Sequence, residues 1–393
     1  MSKLSRLLNE LCPEGVEYKT LGEIASIRRG GNFQKKHYVS NGIPCIHYGQ
    51  IYTKYNLFVN ETDSYIDPEV AKKQKFAKSG DIIMAVTSEN VEDVCKCIAW
   101  LGNDRIAVSG HTAIIHHNQN PKYLVYYLSS QMFQDQKRKM AHGTKVIEVS
   151  PAKLNEVKVA VPPLEVQREI VHILDSFTLL TAELTAELTA ELTARQKQYE
   201  YYRNSLLSKD ESVGMRTIDS LCKVSAGGDA PKDAMSKDKT DEYTIPIISN
   251  GVGEHALYGY TNQAKIMEPA VTVAARGTIG YVEYRDYPYV PIIRLLSLIP
   301  NDTEELDTKF LYYCLQGKEY NVPTTGIPQL TAPMVKQVEI PLPNICVQRK
   351  IVGVLDNFEK ICTDLNIGLP AEIENRQKQY EYYRDKLLSF KEL

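Results

Sequence analysis

Apolar residues recur in steps of three and four along two stretches of this chain, and gather in short β-rich runs elsewhere. The first stripe runs through Ile170, Leu174, Phe177, Leu180, Leu184, Leu188, Tyr199, Tyr202 and Leu206. Such spacing marks one face of a helix, and the residues between are good helix formers such as Ala, Glu, Gln, Lys and Arg. Pro162-Pro163 stop whatever precedes. A helix is predicted from about Leu164 to Leu207, roughly 65 Å long at about 1.5 Å per residue. A second stripe holds Ile351, Leu355, Phe358, Leu365, Ile373, Tyr380, Tyr383 and Leu387, with Gly368 and Pro370 expected to kink or break the helix. Neither helix can bury its stripe alone, so the two are predicted to pair as a coiled coil. The remaining sequence carries β-rich runs such as "GDIIMAV", "RIAVSGHTAIIHH", "AVTVAA", "YVEYRDYPYV" and "IIRLLSLIP", separated by Gly, Asn and Asp turns. Each such region is expected to be a globular α/β domain with a mixed, strongly bent sheet. Tyrosine-rich helices are expected near Tyr123–Gln134 and Thr308–Gln316.

The chain repeats itself. "RQKQYEYYR" occurs at Arg195–Arg203 and again at Arg376–Arg384, 181 residues later. The same offset relates "VPPLEVQREIVHILDSF" (Val161–Phe177) to "LPNICVQRKIVGVLDNF" (Leu342–Phe358). Weaker matches at other offsets pair "TLGEIASIRRGG" with "TIDSLCKVSAGG" and "IPCIHYG" with "IPIISNG". The organisation is therefore domain 1–160, helix 161–209, domain 210–340 and helix 341–393, an α+β architecture with an internal pseudo-two-fold repeat. The central helix holds three tandem copies of Thr-Ala-Glu-Leu, Thr181–Leu184, Thr185–Leu188 and Thr189–Leu192.

Composition adds less than distribution. The 393 residues have a net charge of −3. Residues 1–160 carry 21 Lys+Arg against 16 Asp+Glu, a net of +5, and residues 161–393 carry 25 against 33, a net of −8. The basic excess of the first third suits a nucleic-acid partner. No signal peptide or membrane span is read in the sequence, and the eight cysteines are scattered, so a cytoplasmic protein with reduced thiols is expected. Cys95 and Cys97 form a lone C-x-C, short of a zinc site. No Walker loop, G-x-G-x-x-G, H-E-x-x-H or G-x-S-x-G is present, nor the Asn-Pro-Pro-Tyr type of tetrapeptide that marks amino-methyltransferases. His116-His117 point to opposite faces of a strand and are read as structural.

Two similar halves with divergent domains suit a ligand in two parts, and two inverted readers at a fixed distance match two half-sites on a duplex. On these repeats, on "GLPAEIENRQKQYEYYRDKLLSF" and on "ARGTIGYV", the chain resembles the specificity (S) subunits of Type I restriction–modification systems over its whole length. The Thr-Ala-Glu-Leu unit resembles that of the IC group. The resemblance implies two target recognition domains, two antiparallel conserved helices, and a complex with DNA, two methyltransferase (M) subunits and restriction (R) subunits. It implies that this chain is not an enzyme and holds no cofactor, with S-adenosylmethionine in M and ATP with Mg in R. The first domain reads "VTSENVED" where the second has Arg276–Gly280.

One Thr-Ala-Glu-Leu unit adds about 6 Å of helix, against about 3.4 Å per base-pair step. Each repeat is expected to change the gap between half-sites by about one base pair. Base edges call for Arg, Lys, Asn, Gln, Ser and Thr, and phosphates for Lys, Arg and amides. Candidate DNA contacts in the first domain are Arg28, Arg29, Gln34, Lys35, Lys36, His47, Tyr48, Gln50, His142, Thr144 and Lys145. In the second they are Ser249, Asn250, His255, Tyr258, Arg276, Thr278, Thr324, Thr325 and Gln329. Gln196, Tyr199, Tyr202 and Arg203, repeated as Gln377, Tyr380, Tyr383 and Arg384, are candidates for docking M or for sealing the two-helix seam. A single-chain methyltransferase and a coiled-coil scaffold are the competing readings; the absent catalytic tetrapeptide and the basic loops speak against them.

Overall fold

The computed structural model describes residues 2–207, 213–322, 328–363 and 368–393. The candidates Thr324 and Thr325, and the stripe residue Leu365, lie outside the described residues. The chain forms two compact units, residues 1–187 with 373–393, and residues 188–372. Each globular region therefore shares its unit with parts of both long helices.

In unit 1 the strands Ala25–Arg29, Thr112–His117, Ile82–Ala85, Cys97–Trp100 and Phe58–Val59 form one sheet in that order. A second sheet has the order Tyr38–Val39, Tyr65–Ile66, Ile43–Ile46, Ile106–Val108, Lys75–Ala77. Ile43–Ile46 and Ile106–Val108 are parallel neighbours. Ile82–Ala85 and Cys97–Trp100 are buried at every position. Their side chains alternate between faces, so Ile82, Met84, Cys97 and Ala99 enter the core under the helices. Ile83, Ala85, Ile98 and Trp100 enter a separate core on the other face.

Unit 2 repeats this topology with fewer strands. One sheet runs Cys222–Ala226, Leu296–Pro300, Ala270–Val273, Val282–Arg285, and the other Met235–Ser236, Leu257–Thr261, Ile245–Ile248, Val290–Pro291. Ile245–Ile248 and Val290–Pro291 are again parallel.

Each unit thus has two principal sheets where one bent sheet was expected. "RIAVSGHTAIIHH" looks continuous in sequence, but Ile106–Val108 and Thr112–His117 belong to different sheets. The repeated glycine pairs permit the crossing. A Cβ on Gly30 would lie 2.8 Å from the Val108 carbonyl oxygen and closer still to that of Ser109. A Cβ on Gly227 would lie 2.7 Å from the Pro291 carbonyl oxygen. Only glycine lets these backbones approach so closely.

The first tyrosine-rich helix is two helices, Pro121–Leu128 and Gln131–Met140. The Ser129 hydroxyl donates to the Val125 carbonyl (2.9 Å) and the Ser130 hydroxyl to that of Tyr127 (2.6 Å), bonds that compete with helix continuation. The second is a single helix, Thr308–Leu315.

The long helix spans Leu164–Leu206 in one piece. The C-terminal copy comprises Ile345–Thr363 and Leu369–Leu388, with Gly368 and Pro370 at the start of the second segment. In unit 1, Phe177 packs against Tyr383 with the rings tilted (6.2 Å between centroids) and the Thr178 hydroxyl meets that of Tyr380 (3.0 Å). In unit 2, Tyr202 packs against Phe358, again tilted (5.6 Å). Phe177 and Phe358 are 181 apart, as are Tyr202 and Tyr383, so the same ring pair is made twice.

The repeated "VQR" and "LD" residues fasten each sheet region to the helix after it. Gln167 is fully buried; its oxygen accepts from the Asn120 amide (3.0 Å) and its nitrogen donates to the Pro162 carbonyl (2.8 Å). Gln348 is equally buried and makes the same pair with the Asp307 amide (3.0 Å) and the Pro343 carbonyl (2.8 Å). Asn120 and Asp307 are the N-caps of the two tyrosine-rich helices. Lys122 and Tyr126 both reach Asp175 (2.6 and 2.9 Å), as Lys309 and Tyr313 reach Asp356 (2.8 and 2.5 Å).

Candidate nucleic-acid interface

The candidate residues of unit 1 divide between two places. Arg29, the last residue of its strand, donates to the Gly110 carbonyl (3.1 Å) and pairs with Glu148 (2.5 Å). Glu148 belongs to a short ribbon in which Thr87 faces it, and the Thr87 hydroxyl meets Nδ1 of His111 (3.1 Å). His111 lies 4.9 Å from the Tyr48 ring, and Tyr48 4.5 Å from the His47 ring. Arg29, His47, Tyr48, Thr87, His111 and the hairpin carrying His142, Thr144 and Lys145 thus form one connected region at one end of the first sheet. His142, Thr144 and Lys145 are exposed at the hairpin tip. Burial holds the His47 imidazole below its ordinary pKa, with Lys35 and His111 adding to the effect.

Arg28 is exposed, and its guanidinium donates to the Phe76 carbonyl at the edge of the second sheet (2.7 Å). Gln34, Lys35 and Lys36 are exposed around the short helix Lys35–His37. Gln50 is engaged at both ends: its oxygen accepts from the His47 amide (2.8 Å) and its nitrogen donates to Ser64 (2.7 Å).

In unit 2 the corresponding sheet end is organised by Asn250. Its side-chain oxygen accepts from the Ala275 amide (2.8 Å), its nitrogen donates to the Ile293 carbonyl (2.6 Å), and its own carbonyl accepts from the Thr278 hydroxyl (2.7 Å). Arg276 donates to the Gln329 side-chain oxygen through Nε (3.1 Å) and Nη2 (2.7 Å). The Ser249 hydroxyl donates to the Ala256 carbonyl (3.1 Å). His255 and Tyr258 are exposed nearby in sequence. Arg276, Thr278 and Gln329 are therefore gathered at one loop cluster, with Asn250 as its internal brace.

Sequence reasoning missed His111 and Arg294, exposed residues of the turns that lead into Thr112–His117 and Leu296–Pro300. The repeated Gly-Gly was visible; that it marks these turns required the strand pairing.

Among the helix candidates, Gln196 and Gln377 are exposed. Tyr199 donates to Gln316 (2.7 Å), and Tyr380 meets Thr178, so both face seams within their units. Burial pushes the Tyr199 hydroxyl up to about 12. The Arg203 and Arg384 guanidinium groups lie over the Tyr199 and Tyr380 rings at 5.9 and 6.0 Å. Tyr201 and Tyr382, not singled out in the sequence, are the outward members of each "YEYYR", 69% and 61% exposed. Among the described residues no group of three His, Cys, Asp or Glu side chains could hold a metal, and no helix is long and apolar enough to cross a membrane.

The family model for the Type I restriction modification DNA specificity domain matches residues 13–194 and again 210–375. A Haemophilus influenzae protein named as a type I restriction enzyme specificity subunit is 31% identical over 416 aligned positions, covering 99% of this chain and all of its own length. A Mycoplasma pneumoniae protein named as a type I specificity subunit is 36% identical over 72% of this chain and 85% of its own. Among solved structures, a chain from work on assembly of the type I R-M system superimposes with a TM-score of 0.73 at 17% identity, over 96% of this chain and 98% of its own. The HsdS subunit from Thermoanaerobacter tengcongensis gives 0.55 at 18%, over 96% of each. At those identities the structural likeness is one of fold, and the two family matches and the full-length relative carry the assignment. These matches do not favour a methyltransferase or a bare scaffold: the chain belongs to the Type I restriction–modification specificity subunits.

Proposed function

We propose that each unit reads one half of a two-part, asymmetric DNA site, and that the helices set the gap and dock two methyltransferase subunits. Restriction subunits then join that complex. In this reading the chain is non-catalytic and acts in the cytoplasm, with S-adenosylmethionine bound by M, and ATP and Mg by R. One observation carries it: two units of the same topology, fastened to their helices by the same Gln and Asp contacts, present different side chains at the same sheet end. A shared scaffold with divergent tips is what two readers of different half-sites require. The repeated, outward Gln196 and Tyr201, with Gln377 and Tyr382, offer one surface twice and so suit two copies of one partner. The "YEYYR" arginines and Tyr199, Tyr202, Tyr380 and Tyr383 act there mainly by holding that surface in shape.

The Thr-Ala-Glu-Leu copies, which liken the chain to the IC group, serve as a length setting. Base-resolution methylation mapping in cells expressing this chain with its methyltransferase subunit tests the proposal. The expected result is a two-part asymmetric motif with a fixed gap, and a contiguous motif would overturn it. Deleting Thr185–Leu188 is expected to shorten the gap by about one base pair with both half-sequences kept. An unchanged gap would sink the spacer role alone.

A further inference from the structure

Two consecutive non-glycine residues of unit 2, Ile293 (φ 52°) and Arg294 (φ 61°), adopt the left-handed conformation. For a β-branched residue this is a true outlier, and such strain persists only where the surroundings impose it. They do so here through the backbone. The Ile293 amide donates to the Gly228 carbonyl (2.9 Å), the Arg294 amide to that of Gly227 (3.0 Å), and the Leu295 amide to that of Ile292 (3.0 Å). Asn250 adds its bond to the Ile293 carbonyl and ties the turn to the loop carrying Arg276 and Thr278. None of these anchors uses the Arg294 side chain. It is exposed, and no hydrogen bond or ion pair engages it among the described residues.

Strand pairing equates this position with one in unit 1. Ser109 bridges Gly31 as Ile292 bridges Gly228. The Gly30 amide donates to Thr112 as the Gly227 amide donates to Leu295. Arg294 therefore corresponds to His111, which is also exposed and sits between Thr87 and Tyr48. One position, clamped through the backbone in unit 2 and held in unit 1 by the Val86 amide on the His111 carbonyl and by Thr87, carries a guanidinium in one unit and an imidazole in the other. A phosphate contact would call for a cation at both, because phosphates are the same in every sequence. A base contact calls for a different side chain wherever the base differs.

We infer that this turn is a base-reading position in each unit. Arg294 donates to O6 and N7 of a guanine in the major groove, the commonest bidentate pairing, and His111 contacts a base of the other half-site. The inference rests on the two-reader proposal above, and its test is separable from that proposal. In the complex with its methyltransferase subunits, Arg294→Gly removes the side chain while relieving the left-handed strain, so the variant should unfold at the same temperature or higher. Methylation mapping is expected to show one position of one half-site relaxing from guanine to several bases. Discrimination there should fall about 5- to 150-fold, with the other half-site untouched. Arg294→Lys keeps the charge without the fork and should relax the same position. His111→Ala should relax one position of the opposite half-site only.

Two half-sites unchanged in Arg294→Gly would overturn the inference. So would a uniform loss at all sequences with the salt dependence reduced by about one ion, the mark of a phosphate contact. A native complex that yields no two-part motif would instead sink the parent proposal, and the inference with it.

Discussion

The helix seams and the sheet ends of this molecule are both present twice; the seam contacts repeat residue for residue, and the side chains at the sheet ends do not. At the seams, Gln167 and Gln348 accept from the amides of equivalent N-cap residues, Asp175 and Asp356 each hold a lysine and a tyrosine, and Phe177–Tyr383 reappears as Phe358–Tyr202. At the sheet ends, His47-Tyr48 stands where the other unit has Ser249-Asn250, and His111 where it has Arg294. Contacts that the chain makes with itself are constrained on both sides of each bond. A residue that meets a ligand is constrained only by that ligand. The repeated residues therefore mark the scaffold, and the readers proposed above are to be sought among the divergent ones that the chain does not itself engage, which excludes Asn250.

That comparison can be broken most directly at the buried glutamines. Gln167→Leu and Gln348→Leu each leave a backbone amide and at least one backbone carbonyl unpaired in a closed environment. Each should destabilise its own unit by about 2–4 kcal/mol. Unequal losses in urea unfolding would show that the two seams are not equivalent. Trp100, the single tryptophan, is buried in unit 1 and reports that unit alone by its fluorescence; calorimetry reads both.

A smaller cost is expected from Gly30→Ala and Gly227→Ala, about 1–3 kcal/mol each, because a methyl group must displace the crossing backbone. Thermal unfolding that leaves either variant unaffected would refute the close approach. Smaller again is the coupling between the paired rings. Double-mutant cycles at Phe177 with Tyr383 and at Phe358 with Tyr202 should each return about 0.5–1.5 kcal/mol. A value near zero in one unit alone would mean that the repeated sequence does not make a repeated contact.

Acid should divide the units more gently. Unit 1 holds His47 and His117, both kept below the ordinary pKa by burial. Their folded forms bind fewer protons than the unfolded chain, so stability is highest above the unfolded value of about 6.5 and falls as the pH drops through it. Unit 2 holds only the exposed His255. Between pH 7.5 and 5.5 the Trp100 transition should move to lower temperature, and substituting His47 and His117 by Gln should remove most of that shift. A shift that survives the substitution would assign the acid response to other groups.

The duplication, the long helices and the family were legible because they depend on identity and periodicity, which a sequence displays directly. The pairing of strands into two sheets was not, since "RIAVSGHTAIIHH" is uniformly β-prone and nothing local says that its halves part company. The candidate interface was legible by region and blurred by residue. Asn250 and Gln50 were nominated because Asn and Gln are among the residues that base edges call for, yet both spend their amides on backbone or neighbouring side chains. The same group serves either purpose, and composition cannot tell which. Arg294 was missed because "IIRLL" resembles the interior of a strand; its conformation comes from Gly227, Gly228 and Asn250, all distant in sequence.

The unbroken helix Leu164–Leu206 has one more property. A helix is a screw, and it cannot be lengthened without being turned. Four added residues carry its far end forward by about 6 Å and around by about 40° beyond a full turn. B-DNA, a screw of the same hand with about 10–10.5 base pairs per turn, rotates by roughly 34–36° at each step. The match between one repeat unit and one base pair is thus closer in angle than in length. On the spacer role proposed above, the Thr-Ala-Glu-Leu unit would therefore supply a change of phase as well as of length, and a reader fixed to that helix would be turned by about one base-pair step as it is moved along.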